Sequence, residues 1–260
     1  MSRWFPESLT VALGDGSGMS SPEAMLASLN ERLDHLAPRR GTRVACVIGG
    51  SAVRYRVVPW SDELSSPAER RTLAAHAFHE AYGDAARSWA VREHAVSYGR
   101  ATLASAIDAV LLEALETLCR ERGLRLVSVQ PSLMHAFNQH RLQVDAGLAW
   151  FVSIEASSVT ALLRSRHEAL HVRQLASAKV DVAGLLDREW FALALDAPPC
   201  PAYVARTADA PVASGDDVAS PSDNRATASA HTWRIVQLTS RTPDPMPAAL
   251  SSSVATAIPS

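Results

Sequence analysis

A mixed α/β fold is predicted by three features of this 260-residue chain. Runs with helical spacing alternate with β-rich runs up to about residue 195, clusters of Gly, Pro and Ser separate them, and 47% of the residues are apolar. A chain of this length and composition buries either one large core or the cores of two small lobes.

The elements follow in order. Ser8–Leu13 reads as a short strand closed by the turn residues GDGSG. Ser21, Pro22 and Glu23 then supply a cap, a first-turn proline and an acid near the positive helix end. Met25, Leu26, Leu29, Leu33 and Leu36 repeat at helical spacing behind them, until Pro38 and Gly41 end the helix. Arg43–Ile48 and Val53–Val58 are β-rich runs on either side of Gly49-Gly50-Ser51, a pattern expected of a hairpin. Ser66-Pro67-Ala68-Glu69 starts a second helix, and Ser88–Ser97 is strand-like. The longest helix is expected over Thr102–Glu121, where Leu103, Ile107, Val110, Leu111, Ala114, Leu115 and Leu118 form one stripe and Gly123 follows as a terminator.

Leu124–Val129 is the next strand, running into Pro131 and a short helix over Ser132–His140. Within that helix His135 and His140 are five apart, too far round to share a face, and are expected to be packing or surface residues. Leu148–Ile154 and Val159–Arg164 form a second hairpin pattern, followed by a strand over Ala169–Leu175 and a helix over Asp181–Leu195. Residues 206–231 hold almost no large apolar side chains and are expected to form a mobile loop. HTWRIVQL returns as a late strand, and the Pro/Ser/Ala-rich residues 241–260 are expected to be a disordered tail.

Charge and cysteine usage narrow the function classes. A formal charge of −2 and a pI near 6.5 leave no basic footprint for nucleic acid or an anionic membrane surface. Cys46, Cys119 and Cys200 are widely spaced in apolar sequence, which suits reduced buried thiols in a cytosolic protein. MSRWFPESLTVALGDG lacks the basic and apolar regions of an export signal, and no run approaches the roughly 18 apolar residues of a membrane span.

One stretch, AAHAFHEAYG at 74–83, invites a metal-site reading through His76, His79 and Glu80. Its spacing matches neither H-E-x-x-H nor H-x-x-E-H. At 100° per residue Ala74, Ala77, Phe78, Ala81 and Tyr82 gather on one helix face and the three polar residues on the other. A solvated face is therefore expected, with a metal-dependent enzyme as an alternative.

Six stretches taken together carry a resemblance: DHLAPRRG, RVACVIGGSAVRYRVVPW, ERRTLAAHAFHEAYG, SWAVREHAVSYG, ATLASAIDAVLLEALETLCRERGL and RLVSVQPSLMHAF. Their order resembles the actin-like cytoplasmic proteins of type IV pilus and type II secretion assembly, the PilM and GspL-like group, over roughly residues 24–195. The resemblance implies an α/β, actin-like (ribonuclease H-like) two-lobed fold. It places the first lobe at 1–145 and a reduced second lobe at 146–205 plus 232–240.

It also implies where nucleotide phosphates would sit: on two glycine-rich hairpins, each with an aspartate. The first would fall at Gly14, Asp15 and Gly16, but there the chain runs toward a helix, whereas the family has a returning hairpin. The second should resemble V-D-I-G-G-G-T-T, yet reads Val152-Ser153-Ile154-Glu155-Ala156-Ser157-Ser158-Val159-Thr160. Ser153 stands in place of the acid, and Glu155 in place of a glycine brings like charge and a Cβ toward any phosphate.

The resulting expectation is a non-catalytic docking subunit, a pseudo-ATPase without cofactor. Its partner would be an inner-membrane pilus or secretion subunit, met through a short cytoplasmic peptide, with no nucleic acid and no membrane insertion. A nucleotide-binding ATPase or phosphotransferase of the same fold is the other alternative.

Overall fold

A computed structural model describes residues 8–14, 21–64, 66–94, 98–166, 168–176, 180–195, 199–207 and 232–238. Its first half contains β1 (Ser8–Leu13), α1 (Pro22–Leu36), β2 (Arg43–Ile48), β3 (Arg54–Val58), α2 (Pro67–Tyr82), β4 (Trp89–His94), β5 (Thr102–Asp108) and α3 (Ala109–Glu121). Its second half contains β6 (Arg125–Pro131), α4 (Ser132–His140), β7 (Ala149–Ile154), β8 (Val159–Ser165), β9 (Glu168–Leu175), α5 (Val182–Ala192), β10 (Ala202–Arg206) and β11 (Ile235–Leu238).

Among the described residues three sheets result. The first is all parallel, in the order β1-β2-β6. α1 covers it because Ser21 Oγ accepts from the Ala24 amide at 3.2 Å to start the helix, and Met25, Leu29 and Leu33 then fall on one buried face against Val11, Leu13, Cys46 and Ile48. The second sheet has the order β11-β10-β7-β8-β9, with β7, β8 and β9 an antiparallel meander and β10 and β11 parallel to β7. Alternation along β7 sends Trp150, Val152 and Ile154 into a core with Leu185, Leu186 and Trp190 of α5, and Ala149 and Phe151 into the first core. The third sheet, β3-β5-β4, is antiparallel and carries α2 on one face.

Two sequence expectations are corrected here. Arg43–Ile48 and Val53–Val58 do not form a hairpin. β2 lies between β1 and β6, so both its edges are taken, and a 3-10 turn over Gly50–Ala52 carries the chain out to β3 and the third sheet. The near-continuous apolar run VACVI is the mark of such a central parallel strand.

Nor does the long helix begin at Thr102. Thr102–Asp108 is the central strand β5, with Leu103 and Ile107 in the first core and Ala104 and Ala106 in the third, beside Ala74 and Phe78. A spacing of four between Leu103 and Ile107 fits both the helical and the strand period, so it could not separate them. The helix starts one residue after Asp108, whose Oδ1 accepts from the Val110 amide at 2.9 Å.

β10 was not anticipated as a strand, while the late strand in HTWRIVQL is present as β11. The loop expected over 206–231 and the tail expected over 241–260 lie outside the described residues, apart from Arg206 and Thr207. Cys46, Cys119 and Cys200 are free and buried; burial pushes the Cys46 thiol up to about 12 and that of Cys200 to about 11. Among the described residues no helix is long and apolar enough to cross a membrane.

The first and second sheets share a plan. β1-β2-β6 and β7-β10-β11 are both parallel trios. On β7 the trio continues into β8 and β9, which gives this sheet five strands among the described residues. Among the described residues no strand pairs with the other edge of β1.

Candidate functional site: a buried carboxylate between two turns

The turn that joins β7 to β8 begins at Glu155, whose amide donates to the Ser158 carbonyl at 2.9 Å. Strand alternation turns Ser153 and Glu155 the same way as Phe151, toward the first lobe. Glu155 is 1% exposed, and both of its oxygens are engaged. Oε2 accepts from the Gly50 amide at 2.7 Å and Oε1 from Ser132 Oγ at 2.6 Å. One bond reaches the turn after β2 and the other the first residue of α4, so a single side chain ties the second lobe to two elements that follow first-sheet strands. Short charge-assisted bonds of this kind are the stronger class of hydrogen bond.

Around it the packing is close. A Cβ on Gly50 would meet Ser158 Oγ at 2.6 Å and Glu155 Oε1 at 3.1 Å, so only glycine fits between the turns. Gln174 Nε2, from β9, donates to the carbonyls of Gly50 at 2.6 Å and Val53 at 3.1 Å. Tyr55 is fully buried nearby; burial first, and then the charge of Glu155, push its phenol well above its ordinary value.

The remnant of the first phosphate loop converges on the same turn. Gly14 has φ +89°, and a Cβ there would meet Met25 Cε at 2.7 Å. Its carbonyl accepts from Ser51 Oγ at 3.2 Å, and the Leu13 carbonyl accepts from the Gly49 amide at 2.6 Å. Asp15 and Gly16 lie outside the described residues. Ser153 is buried in register with Thr160 and Ala205, and takes no part in the bonds made by Glu155.

Thus the structure brings Gly14 and Glu155 to one hub, Gly49-Gly50-Ser51, whose residues alone have the pattern of a hairpin turn. Ser132, Gln174 and Tyr55 were not singled out either. The one available signal was Ser132 directly after the strand-ending Pro131, where a hydroxyl sits at a helix start.

The histidine stretch lies elsewhere, on α2. His76 and Glu80 are exposed, and His79 Nδ1 lies 3.0 Å from the Gly83 carbonyl. Ala74 and Phe78 are buried as the helical wheel requires, but Ala81 and Tyr82 are exposed. Replacing His76 and His79 together by alanine is expected to change stability by under about 0.5 kcal/mol, measured by denaturant melting, because surface substitutions without partners in a core rarely do more. His140, by contrast, is 3% exposed, and burial lowers its pKa.

Neither a protein-family profile nor a curated protein sequence matches this chain. Solved structures do. The PilM-PilN type IV pilus biogenesis complex contains a chain similar at TM-score 0.52 and 16% identity, over 75% of this chain and 70% of that one. The cytoplasmic domain of EpsL, an inner-membrane component of the type II secretion system of Vibrio cholerae, is similar at TM-score 0.51 and 11% identity, over 84% of this chain and 76% of that one. A Bacteroides thetaiotaomicron protein described as having an actin-like ATPase fold and unknown function is similar at TM-score 0.50 and 12% identity, over 77% and 82%. The chain has the actin-like fold. The meander-plus-parallel order of the second sheet and the parallel trio of the first are the two halves of that architecture in this molecule.

Proposed function

We propose that this protein is a non-catalytic docking subunit on the cytoplasmic side of an inner-membrane pilus or secretion assembly. The observation that carries the reading is the Glu155 latch. A nucleotide phosphate brought to the turn between β7 and β8 would meet a buried carboxylate of like charge at Glu155, the position where the family has a glycine. Releasing Glu155 would leave a buried amide and a buried hydroxyl without their acceptor. An actin-like fold whose second phosphate turn is bonded through Glu155 to the turn after β2 and to the start of α4 has recognition left to offer.

The class of partner is supported by two of the similar structures. One is part of a type IV pilus biogenesis complex, and the other is the cytoplasmic domain of an inner-membrane component of type II secretion. A short cytoplasmic peptide from such a membrane subunit is the form of partner proposed, bound in a groove or along a strand edge. The chain works without a cofactor and without touching lipid itself. The test is direct binding between the purified protein and synthetic peptides spanning the cytoplasmic segments of the inner-membrane proteins encoded beside it. Saturable binding of one segment is expected; failure of every segment to bind would overturn the docking role.

A further inference from the structure

We propose that the outer edge of β1 pairs with β1 of a second copy of this chain, antiparallel across a twofold axis, so that one sheet runs through both protomers. This does not depend on the identity of the membrane partner. The second sheet shows what a first strand of this plan carries on that side: β7, flanked on one side by parallel β10, bears antiparallel β8 on the other, in register from Ala149↔Arg164 to Ile154↔Val159. β1 has parallel β2 on one side and no strand on the other among the described residues.

Among the described residues nothing guards that edge. Natural edge strands carry charge, proline or a very short length to discourage pairing. Here β3 has Arg54 and Arg56, β4 has Arg92 and Glu93, and β9 has Glu168 and Arg173. β6 begins at Arg125 and ends at Pro131, and β11 is only four residues long. β1 reads SLTVAL over six residues, with no charge, no proline and no glycine. An edge of this kind left open for an occasional peptide would be an aggregation site in every free molecule, whereas a twofold copy consumes it on both protomers and closes the assembly.

The copy also fits by symmetry and by charge. Two identical strands across a twofold axis must run antiparallel, the direction β8 takes on β7. An axis through Val11 sets Leu9 opposite Leu13 and Thr10 opposite Ala12, which keeps the buried and the exposed faces of the strand matched. Beside the edge runs a groove of about 470 Å³ between β1 and α1, lined by Thr10, Val11, Ser28, Glu31, Arg32 and His35. Its wall holds both signs of charge on adjacent residues, as a self-complementary surface requires.

Sedimentation velocity over a wide concentration range, with hydrogen exchange read at Leu9–Leu13, tests the proposal. The parent protein is expected to dimerise, with exchange at these amides slowing as concentration rises. Thr10→Lys, at an exposed position on the edge, should give monomer with an unchanged circular dichroism spectrum, and Val127→Lys on β6 at the opposite sheet edge should leave the dimer intact. A parent that stays monomeric, a dimer that survives Thr10→Lys, or protection of β1 that does not rise with concentration would each overturn it; the last readout needs no variant.

Discussion

Replacing Glu155 by alanine is expected to cost about 2–6 kcal/mol of folding stability, at about 1–3 kcal/mol for each of the two buried donors it leaves without an acceptor. The loss has two parts. The Gly50 amide and the Ser132 hydroxyl would keep their burial and lose their acceptor, and the removed side chain would leave space between turns that pack closely enough to exclude a Cβ on Gly50. Glu155→Gln keeps the shape and one acceptor oxygen while turning an amide donor toward one of the two donors, so about 1–3 kcal/mol is expected. Urea melts of both variants read these values. Two variants as stable as the parent would mean that the latch does not hold the lobes.

Leu111→Ala and Leu115→Ala are each expected to cost about 2–5 kcal/mol. The two side chains are 1% and 0% exposed, one turn apart on α3, and belong to the first core together with Leu103, Ile107 and Cys119. Because they are neighbours, the double variant should fall short of the sum of the singles. If both single variants melt with the parent, α3 does not carry the load that its burial indicates.

Much of this fold was legible because most elements announce themselves locally. Ser66-Pro67-Ala68-Glu69 becomes a capping box, with Ser66 Oγ accepting from the Glu69 amide and Glu69 accepting from the Ser66 amide. The stripe of Met25, Leu29 and Leu33 becomes a buried helix face, and the two runs around EASS become an antiparallel pair. What was not legible depends on pairing across the chain. Nothing local tells RVACVI that its neighbours are residues 8–13 and 125–131, and so its two glycines were read as a hairpin turn. Thr102–Asp108 misled for a different reason: its small residues suit a helix, and only burial on both faces of a central strand explains Ala104, Ser105 and Ala106.

The candidate site divides the same way. That Glu155 departs from a phosphate-loop pattern was visible in the sequence. That it bonds to residues 105 positions and 23 positions away was not, since a side chain's partner follows from topology and not from spacing.

Thermal unfolding of the purified protein with and without millimolar Mg-ATP tests the central claim most directly. A site of ~10 μM affinity would add about 2.7 kcal/mol at that concentration, a shift no melting curve would miss. The closed, Glu155-latched turns predict no shift; a clear stabilisation by Mg-ATP, or hydrolysis that is lost on replacing Asp15, would contradict the docking account and establish a nucleotide-binding member of the fold.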